Sequence, residues 1–299
     1  MSTAVSPKKA KVETIAKRKG AFSFGTVTPR EKIVRYLLLI LMMFVAIGPF
    51  LWQFSTSLKG AGEDIYTSSL SLIPSQPTLD NYIKVGEAIP VWLYIGNSLF
   101  VATLAVAGNV VFTTMAGFAI ARLAFRGKAF VVGCFMAVLI LPGGGTIVAP
   151  FVTIRNLGLS DQLLGVAIPG MVGALNVLLM WNAFRIIPKE IDEAAVVAGA
   201  NGWQRLTQIH LPAVRGTLAV VAIFAFIGAW DDFLWPLIVL TTPDRFTLTI
   251  GLQYLAGTFS NNQRLIAAGT MIAFIPIAVL FASLQRFFFK GVEEGGVKG

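Results

Sequence analysis

The sequence predicts an all-α membrane protein with six transmembrane helices. Hydrophobic residues make up 56% of the 299 positions and charged residues only 13%, with a mean hydropathy of +0.74. A soluble domain of this length carries more charge and less apolar surface. Several apolar runs also reach the ~20 residues that a helix needs to cross a bilayer. The loops between these runs alternate between rich and poor in Lys and Arg, which is typical of a polytopic chain.

Six apolar runs define the predicted spans: Tyr36–Ser57, Trp92–Ala121, Ala129–Ile154, Leu163–Phe184, Gly216–Leu240 and Ile266–Leu284. The fourth run is the least regular because Pro169 and Asn176 interrupt it. The third is broken near its outer end by the segment at 141–145, which contains one proline and three glycines. We expect an exit turn there, with a gate or hinge as the alternative.

The basic residues orient the chain. The N-terminal tail, the alternate loops and the C-terminal end hold 19 Lys and Arg, whereas the remaining loops hold 5. The positive-inside rule therefore predicts that both termini are cytoplasmic. The net charge of +9 follows from this topology, with some attraction to anionic membrane lipid. A nucleic-acid partner is not expected.

The chain divides by composition into a basic tail at 1–35, a membrane domain at 36–290 and a short tail at 291–299. Residues 1–25 are predicted to be disordered because they are polar and rich in Lys, Ala, Ser and Gly. The first outer loop, 59–91, is long enough to form short structure of its own. Three polar residues within the spans are predicted to bond across neighbouring helices: Asn97, Asn109 and Asn176.

The sequence predicts no convergent set of catalytic residues. Cys134 and His210 are the only cysteine and the only histidine, so neither a metal site nor a catalytic triad is predicted. The pattern G-x-x-x-x-G-K-[ST] of a phosphate-binding loop does not occur. We therefore expect no enzyme and no cofactor in this chain, and any ATP must be hydrolysed by a partner.

The loop at 188–212 is the most informative segment. Pro188 suits a first helical position, and acidic residues follow near the helix start, where the helix dipole favours negative charge. Residues 199–202, Gly-Ala-Asn-Gly, predict a stop and a turn. A second helical piece is predicted from Trp203 to Ile209, with Pro212 starting the next element. The loop is thus predicted to be a helix–turn–helix on the membrane surface.

The first helix of this loop has a small apolar face at helical spacing, made by Ile191, Ala194, Ala195 and Ala198. Such a face allows a partner protein to approach closely. It is also compatible with an interfacial helix pair that only covers lipid headgroups.

The spacing within the loop resembles the EAA motif of the membrane subunits of ABC importers. That motif reads Glu-Ala-Ala, three residues, Gly, nine residues and Ile-x-Leu-Pro, and here it falls on Glu193, Ala194, Ala195, Gly199, Ile209, Leu211 and Pro212. The resemblance implies a type I permease fold in the bacterial cytoplasmic membrane. It implies that the loop is a coupling helix that docks into an ATPase subunit. Glu193 would then pair with a basic residue of the ATPase, and Gly199 would lie at the tight contact.

Three further stretches, 72–82, 228–237 and 284–291, resemble carbohydrate-uptake permeases of the maltose and glycerol-3-phosphate type, in particular the shorter six-span subunit. The resemblance implies a sugar or oligosaccharide cargo. It also implies a second permease subunit, two ATPase subunits that bind ATP and Mg, and an extracytoplasmic solute-binding protein. The alternatives are the same architecture for a polyamine, phosphate or an amino acid, or a secondary transporter.

The fifth span contains the candidates for a substrate path: Trp230, Asp231, Asp232, Phe233 and Trp235. Ionisable groups at membrane depth are costly and usually face a cavity or a partner. Adjacent residues are ~100° apart on a helix, so the two acids cannot point the same way. We interpret the segment as a polar lining with aromatic faces for a sugar ring. The alternative is an aromatic belt at the outer leaflet with solvated acids.

Overall fold

The computed structural model describes residues 29–65, 72–141, 147–259 and 261–296, without the side chains of 286–296. Contacts divide the chain into two units, residues 1–52 and 53–299. No strand occurs in the described ranges, so the all-α prediction is confirmed. The predicted disorder of residues 1–25 and the predicted turn at Pro142–Gly145 lie outside the described residues.

The described part of the chain contains thirteen helices, apart from one short 3-10 turn at Pro243–Arg245. They are α1 (Pro29–Leu58), α2 (Asp80–Ala88), α3 (Val91–Arg122), α4 (Lys128–Ile140), α5 (Val148–Asn156), α6 (Leu163–Gly170), α7 (Ala174–Ile186), α8 (Lys189–Val197), α9 (Gly202–Ala213), α10 (Arg215–Trp230), α11 (Leu234–Val239), α12 (Leu248–Thr258) and α13 (Gln263–Gly296).

Length and apolar composition identify four membrane-crossing helices within the described ranges: Pro29–Leu58, Val91–Arg122, Leu163–Ile186 and Gln263–Gln285. A fifth is obtained if α9 and α10, which meet at an 85° bend, count as one span. These correspond to five of the predicted spans, and α4 is a shorter apolar helix within the remaining one. The count of six unbroken spans is therefore not reached.

Three of the predicted spans are broken: the third, the fifth and, between α6 and α7, the fourth. The third, Ala129–Ile154, consists of the separate helices α4 and α5. The fifth, Gly216–Leu240, ends its first helix at Trp230 and resumes at Leu234. The reason lies in Asp232, whose carboxylate accepts a hydrogen bond from the backbone N–H of Trp235 at 3.3 Å. A short acidic side chain that binds the backbone in this way starts a new helix instead of continuing the old one.

The long helix α3 contains a π turn at Asn109–Thr113, and Asn109 there stabilises a break in the fourth span. Its amide nitrogen donates to the carbonyl of Gly170 at 2.5 Å, and its oxygen accepts from the N–H of Gly173 and from Nδ2 of Asn176. The side chain thus supplies hydrogen bonds to the backbone between α6 and α7, which would otherwise lose them in an apolar medium. The predicted cross-helix role of Asn109 and Asn176 is confirmed.

Two loops are joined to helix ends by side-chain amides. Asn97 on α3 donates to the carbonyls of Asp244 and Phe246, so it bonds to the connection before α12 and not to a neighbouring spanning helix as predicted. Asn81 on α2 donates to the carbonyls of Ser57 and Lys59 at 2.8 and 2.9 Å. The loop after α1 therefore forms a helix of its own, and Asn81 binds that helix to the backbone at Ser57 and Lys59.

Helix α3 is the centre of the second unit. It packs against α6, α7, α10 and α12, and its second half lies along α7. Where α3 and α7 end beside the 188–212 loop, a buried apolar cluster joins them to α9 and α10: Phe118, Met180, Phe184, Leu206, Val214 and Val221. The loop thus rests on a packed base instead of hanging from its two ends.

The close contact between α3 and α7 depends on Gly117. A Cβ atom at Gly117 would lie 2.7 Å from Cβ of Met180 and 2.8 Å from the backbone nitrogen of Trp181. We expect Gly117→Ala to lower the melting temperature of the detergent-solubilised protein, at a cost of about 1–3 kcal/mol for overpacking. Gly96→Ala in the same helix is the control, since nothing lies within 4 Å of its Cβ position. Equal melting temperatures for the two variants would contradict this packing.

Candidate functional site

The loop between α7 and α10 forms the predicted helix–turn–helix. Helix α8 begins at Lys189, so Pro188 is the residue before the helix and not its first residue as predicted. The reason is the ψ angle of Pro188, 142°, which is extended and turns the chain away from α7 before the helix can start. Glu190 and Asp192 lie in the first turn, where the dipole favours them.

The turn after α8 has two capping motifs in succession. Gly199 has a φ of +81°, and the N–H groups of Gly199 and Ala200 donate to the carbonyls of Val196 and Ala195. This is a Schellman motif, which requires the left-handed conformation that glycine adopts without strain. Asn201 and Gln204 then form a capping box at the start of α9. The predicted stop and turn at residues 199–202 is confirmed.

Helix α9 is longer than predicted. It runs from Gly202 to Ala213 with a π turn at Arg205–His210, and the next helix starts at Arg215. Pro212 therefore lies in the last turn of α9 and does not begin the following element. Because a proline has no N–H to donate, Pro212 weakens the last turn of α9. The chain then bends by 85° into α10.

Helix α8 has one buried face and one exposed face. Asp192 and Ala195 point inward and are buried, whereas Ile191, Ala194 and Ala198 are exposed. The predicted small apolar face is thus correct except for Ala195. Val197, which was not predicted to belong to it, is 89% exposed. The result is an apolar patch that no described residue of this chain covers.

The seven motif residues divide between these two environments. Glu193, Ala194, Gly199 and Pro212 are exposed, Ala195 is buried, and Ile209 and Leu211 are half-buried. Leu211 packs against the apolar cluster at the base of the loop. The motif therefore contains both residues that anchor the loop and residues that are presented outward.

Asp192 is the centre of a buried charge cluster. Its Oδ1 accepts hydrogen bonds from Nε of Arg205 and from Nε2 of His210, both at 2.9 Å. The guanidinium of Arg122 lies 3.6 Å from Oδ2. The side chains of Asp192, Arg205 and Arg122 are 10%, 15% and 5% exposed, and that of His210 is fully buried. One carboxylate thus joins α8 to α9 and to the end of α3.

Arg122 and His210 extend this cluster into the spans. Arg122 also donates to the backbone carbonyls of Phe184 and Ile187, which are unpaired at the end of α7. The imidazole of His210 lies edge-on to the rings of Phe118 and Phe184, with centroids 5.1 and 5.8 Å away. The loop is consequently fixed to the ends of α3 and α7 by both charge and packing.

The charged state of Asp192 is favoured by its partners. Burial raises the pKa of this carboxyl, but the hydrogen bonds from Arg205 and His210 and their positive charge outweigh burial and lower the pKa below its usual 3.8. Asp192 is therefore ionised throughout the neutral range and holds the cluster together.

This cluster is not apparent from the sequence. Asp192 was interpreted as a dipole-favoured residue, and His210 and Arg122 received no role. The one signal in the sequence is that Asp192 lies on the same face of the predicted helix as Ala195, so its carboxylate could be buried. The partners cannot be found by spacing, because Arg122 lies on a distant helix that only the fold brings to the loop.

The candidates for a substrate path do not lie together. Trp230 is buried, stacks on Phe226 with a centroid distance of 5.6 Å, and donates from Nε1 to the carbonyl of Ala273 at 3.1 Å. Its ring faces are occupied by the protein core. Asp231 is exposed, and Phe233 packs against an apolar cluster near Val239. As predicted, the two acids point in different directions.

Asp232 and Trp235 instead line a cavity of ≈ 350 Å³ between α3, α6, α7 and α10. Asn109 and Asn176 also line it. Nε1 of Trp235 and Oδ1 of Asn176 are buried without a hydrogen-bond partner among the described residues. The cavity therefore combines an acid, an aromatic ring, and an unpaired donor and acceptor.

The described residues offer no group of three or more His, Cys, Asp or Glu side chains that would hold a metal ion.

The sequence pattern of the family described as "binding-protein-dependent transport system inner membrane component" matches residues 30–294. The chain belongs to this family. It is accordingly a multi-pass membrane subunit of a transport system that works with a solute-binding protein.

Curated relatives cover nearly the whole chain. The arabinooligosaccharides transport system permease protein AraQ of Halalkalibacterium halodurans is 33% identical over 86% of this chain and 92% of its own length. The galactooligosaccharides transport system permease protein GanQ of Bacillus subtilis is 32% identical over 88% and 94%. The sulfoquinovosyl glycerol transport system permease protein SmoH of Agrobacterium fabrum is 30% identical over 96% and 100%.

A solved structure has the same fold. It is a chain of a bacterial ABC transporter involved in the import of the acidic polysaccharide alginate, with a TM-score of 0.75 and 20% identity. The match covers 96% of this chain and 100% of that chain. The predicted ABC importer permease fold is therefore confirmed.

The Asp192 cluster makes a testable contribution to stability. We expect Asp192→Asn to destabilise the protein by about 3 kcal/mol at neutral pH, because it leaves buried cations without their counter-charge. Glu193→Gln, on the exposed neighbour, should leave the melting temperature unchanged. Because the pKa of Asp192 is lowered, the difference between wild type and Asp192→Asn should be complete above pH 3.8 and shrink as the pH falls below it. A difference that disappears already near neutral pH would contradict this assignment.

Proposed function

We propose that this chain is a permease subunit of an ABC importer for a sugar or oligosaccharide, and that α8 couples it to an ATPase. The cargo class is supported by the relatives, which serve arabinooligosaccharides, galactooligosaccharides and sulfoquinovosyl glycerol. A polyamine, phosphate or amino-acid cargo has no such support among them. Family membership removes the secondary transporter from consideration.

The coupling role rests on the exposed face of α8. Ala194, Val197 and Ala198 present small apolar groups outward, and Glu193 adds a negative charge beside them. A partner with an apolar cleft and a basic residue would fit this surface closely. An interfacial helix that only rests on headgroups would instead carry Lys and Arg along its polar face, and α8 has a single cation, Lys189, at its start.

The Asp192 cluster would transmit the motion of such a partner. A displacement of α8 acts on Arg122 at the end of α3, and through Arg122 on the carbonyls at the end of α7. His210 carries the same displacement to the aromatic base of the loop. Tightly packed, charge-bonded elements move together, so that the partner shifts whole helices and not only the loop.

The proposal implies further subunits of the importer. The positive-inside distribution supports a cytoplasmic position of the 188–212 loop and of both termini, where two ATPase subunits would bind and hydrolyse ATP with Mg. A second permease subunit completes the pathway, and the extracytoplasmic binding protein delivers the cargo. ATP binding would close the ATPases and switch the spans between inward- and outward-facing states, each with its own contacts.

The cavity beside Asp232 is the proposed contribution of this chain to the cargo path. Its volume of ≈ 350 Å³ is at the lower end of small-molecule sites. The carboxylate of Asp232 and the oxygen of Asn176 accept hydrogen bonds from hydroxyls, and the indole N–H of Trp235 donates one. Asp231 and Trp230 are not part of this proposal, since one faces outward and the other is in the core.

The coupling role is tested at Glu193 and Gly199. We expect Glu193→Lys and Gly199→Asp to insert normally into the membrane but to lose most transport of a labelled sugar, with reduced co-purification of the ATPase. Lys reverses the charge offered to the partner. Asp at residue 199 adds a charge to the contact surface, whereas no described residue lies within 4 Å of the Cβ position there.

Gly199→Asn is the matched control for Gly199→Asp. Asn and Asp both adopt positive φ with modest strain and have the same size, so only the charge differs. We expect the Asn variant to transport much better than the Asp variant. If the wild-type rate persists in both Glu193→Lys and Gly199→Asp, then α8 is not the coupling element.

The cargo path is tested separately. We expect Asp232→Asn and Trp235→Phe each to weaken the apparent sugar affinity of the assembled importer by about tenfold. The reason is that each variant loses one hydrogen bond between the sugar and a charged or buried group. Asp231→Asn is the neighbouring control and should retain the affinity. Unchanged affinity in all three variants would favour solvated acids at the membrane edge.

A further inference from the structure

A second cavity lies beside the loop, between α4 and α7, with a volume of ≈ 820 Å³. Its rim is formed by Lys128, Arg185 and Lys189, together with Arg122. The first three belong to the start of α4, the end of α7 and the start of α8. Three helix ends thus bring cations to one opening.

Lys128, Arg185 and Lys189 form no salt bridge within the part of the chain that the structure describes. The guanidinium of Arg122 is committed to Asp192 and to the end of α7. By contrast, Lys128 donates to the carbonyl of Ala121 at 3.2 Å, and Arg185 lies over the ring of Trp181 at 4.9 Å, which leaves both charges uncompensated by acid. Among the described residues that line this cavity there is no Asp or Glu.

Below the rim the cavity becomes apolar. Val132, Gly133 and Met136 form one wall along α4, and Trp181 on α7 faces them. Met136 lies eight positions beyond Lys128, which is about 12 Å further along a helix. Nothing lies within 4 Å of the Cβ position of Gly133, so the wall has an open groove at that level. The cavity is therefore charged at one end and apolar for the depth of several methylene groups.

We propose that this cavity binds an anionic phospholipid, with the phosphate among Lys128, Arg185 and Lys189 and an acyl chain along the groove at Gly133. Cationic pockets between helices at the membrane edge select anionic headgroups. A free phosphate ion would use the rim but not the apolar wall. A choline headgroup would bring its own cation against three others. The cytoplasmic position proposed for the 188–212 loop decides only which leaflet supplies the lipid. The binding site itself does not depend on it.

The position of this lipid gives it access to the loop. Lys189 is the first residue of α8, and Arg122 both borders the cavity and contacts Asp192. A lipid phosphate bound to Lys189 would add a contact at the base of α8. The membrane composition would then act directly on the element to which the ATPase is proposed to bind.

The test measures lipid binding to the full chain in detergent micelles by native mass spectrometry, so it does not depend on transport. The chain is titrated with phosphatidylglycerol, with phosphatidylcholine of the same acyl chains and with inorganic phosphate. We expect phosphatidylglycerol to bind more tightly than phosphatidylcholine. Each replacement in the series Lys128→Gln, Arg185→Gln and Lys189→Gln should weaken phosphatidylglycerol binding about fivefold.

A steric variant tests the apolar half of the site without changing its charge. Gly133→Phe fills the groove and should weaken phosphatidylglycerol binding, whereas Gly96→Phe, at another position with open space for a side chain, should not. Melting temperatures show that each variant is folded. The proposal is overturned if the two lipids bind equally. It is also overturned if phosphatidylglycerol binding is unchanged in Gly133→Phe or in the variant that combines the three Gln replacements. Displacement of the lipid by inorganic phosphate at constant ionic strength would overturn it as well.

Discussion

The structure of the proposed coupling loop depends on one buried carboxylate. Burying Asp192 is costly on its own, and it is stable only because Arg205, His210 and Arg122 converge on it from two other helices. This convergence fixes the inward face of α8, so the outward face can remain apolar and uncovered. The loop is therefore rigidly attached and still available to a partner. A loop held only by its two chain ends would yield locally when it is pushed.

The helix breaks within the membrane region likewise depend on buried polar groups that find partners inside the protein. Backbone groups in lipid must find partners inside the protein, so a helix can break only where another group takes over its hydrogen bonds. Asn109 does this for the break before α7, and Asp232 does it at the start of α11. Both residues also line the cavity that is proposed to admit cargo. The polar groups that permit irregular backbone are thus the groups that make the cavity polar.

The sequence predicted those features that local patterns determine. The apolar runs located the long helices, and Gly199 correctly ended α8 because a Schellman turn needs a residue with positive φ. The break after Trp230 was missed because Asp231 and Asp232 look like polar residues within a continuous apolar run. Trp230 was misjudged because a tryptophan in such a run has the same pattern whether it faces a cavity or packs on Phe226. The Asp192 cluster was missed because its partners meet only in the folded chain.

The π turn at Asn109–Thr113 has a consequence for the whole of α3. A π turn holds one more residue than a regular turn, so side chains beyond it are rotated by about 100° relative to an uninterrupted helix. The half before the turn packs against α6 and α10, and the half after it packs along α7. One inserted residue therefore sets the phase between the two halves of the helix. Deleting a single residue there would shorten α3 by only about 1.5 Å, yet it would turn every contact of one half away from its neighbours.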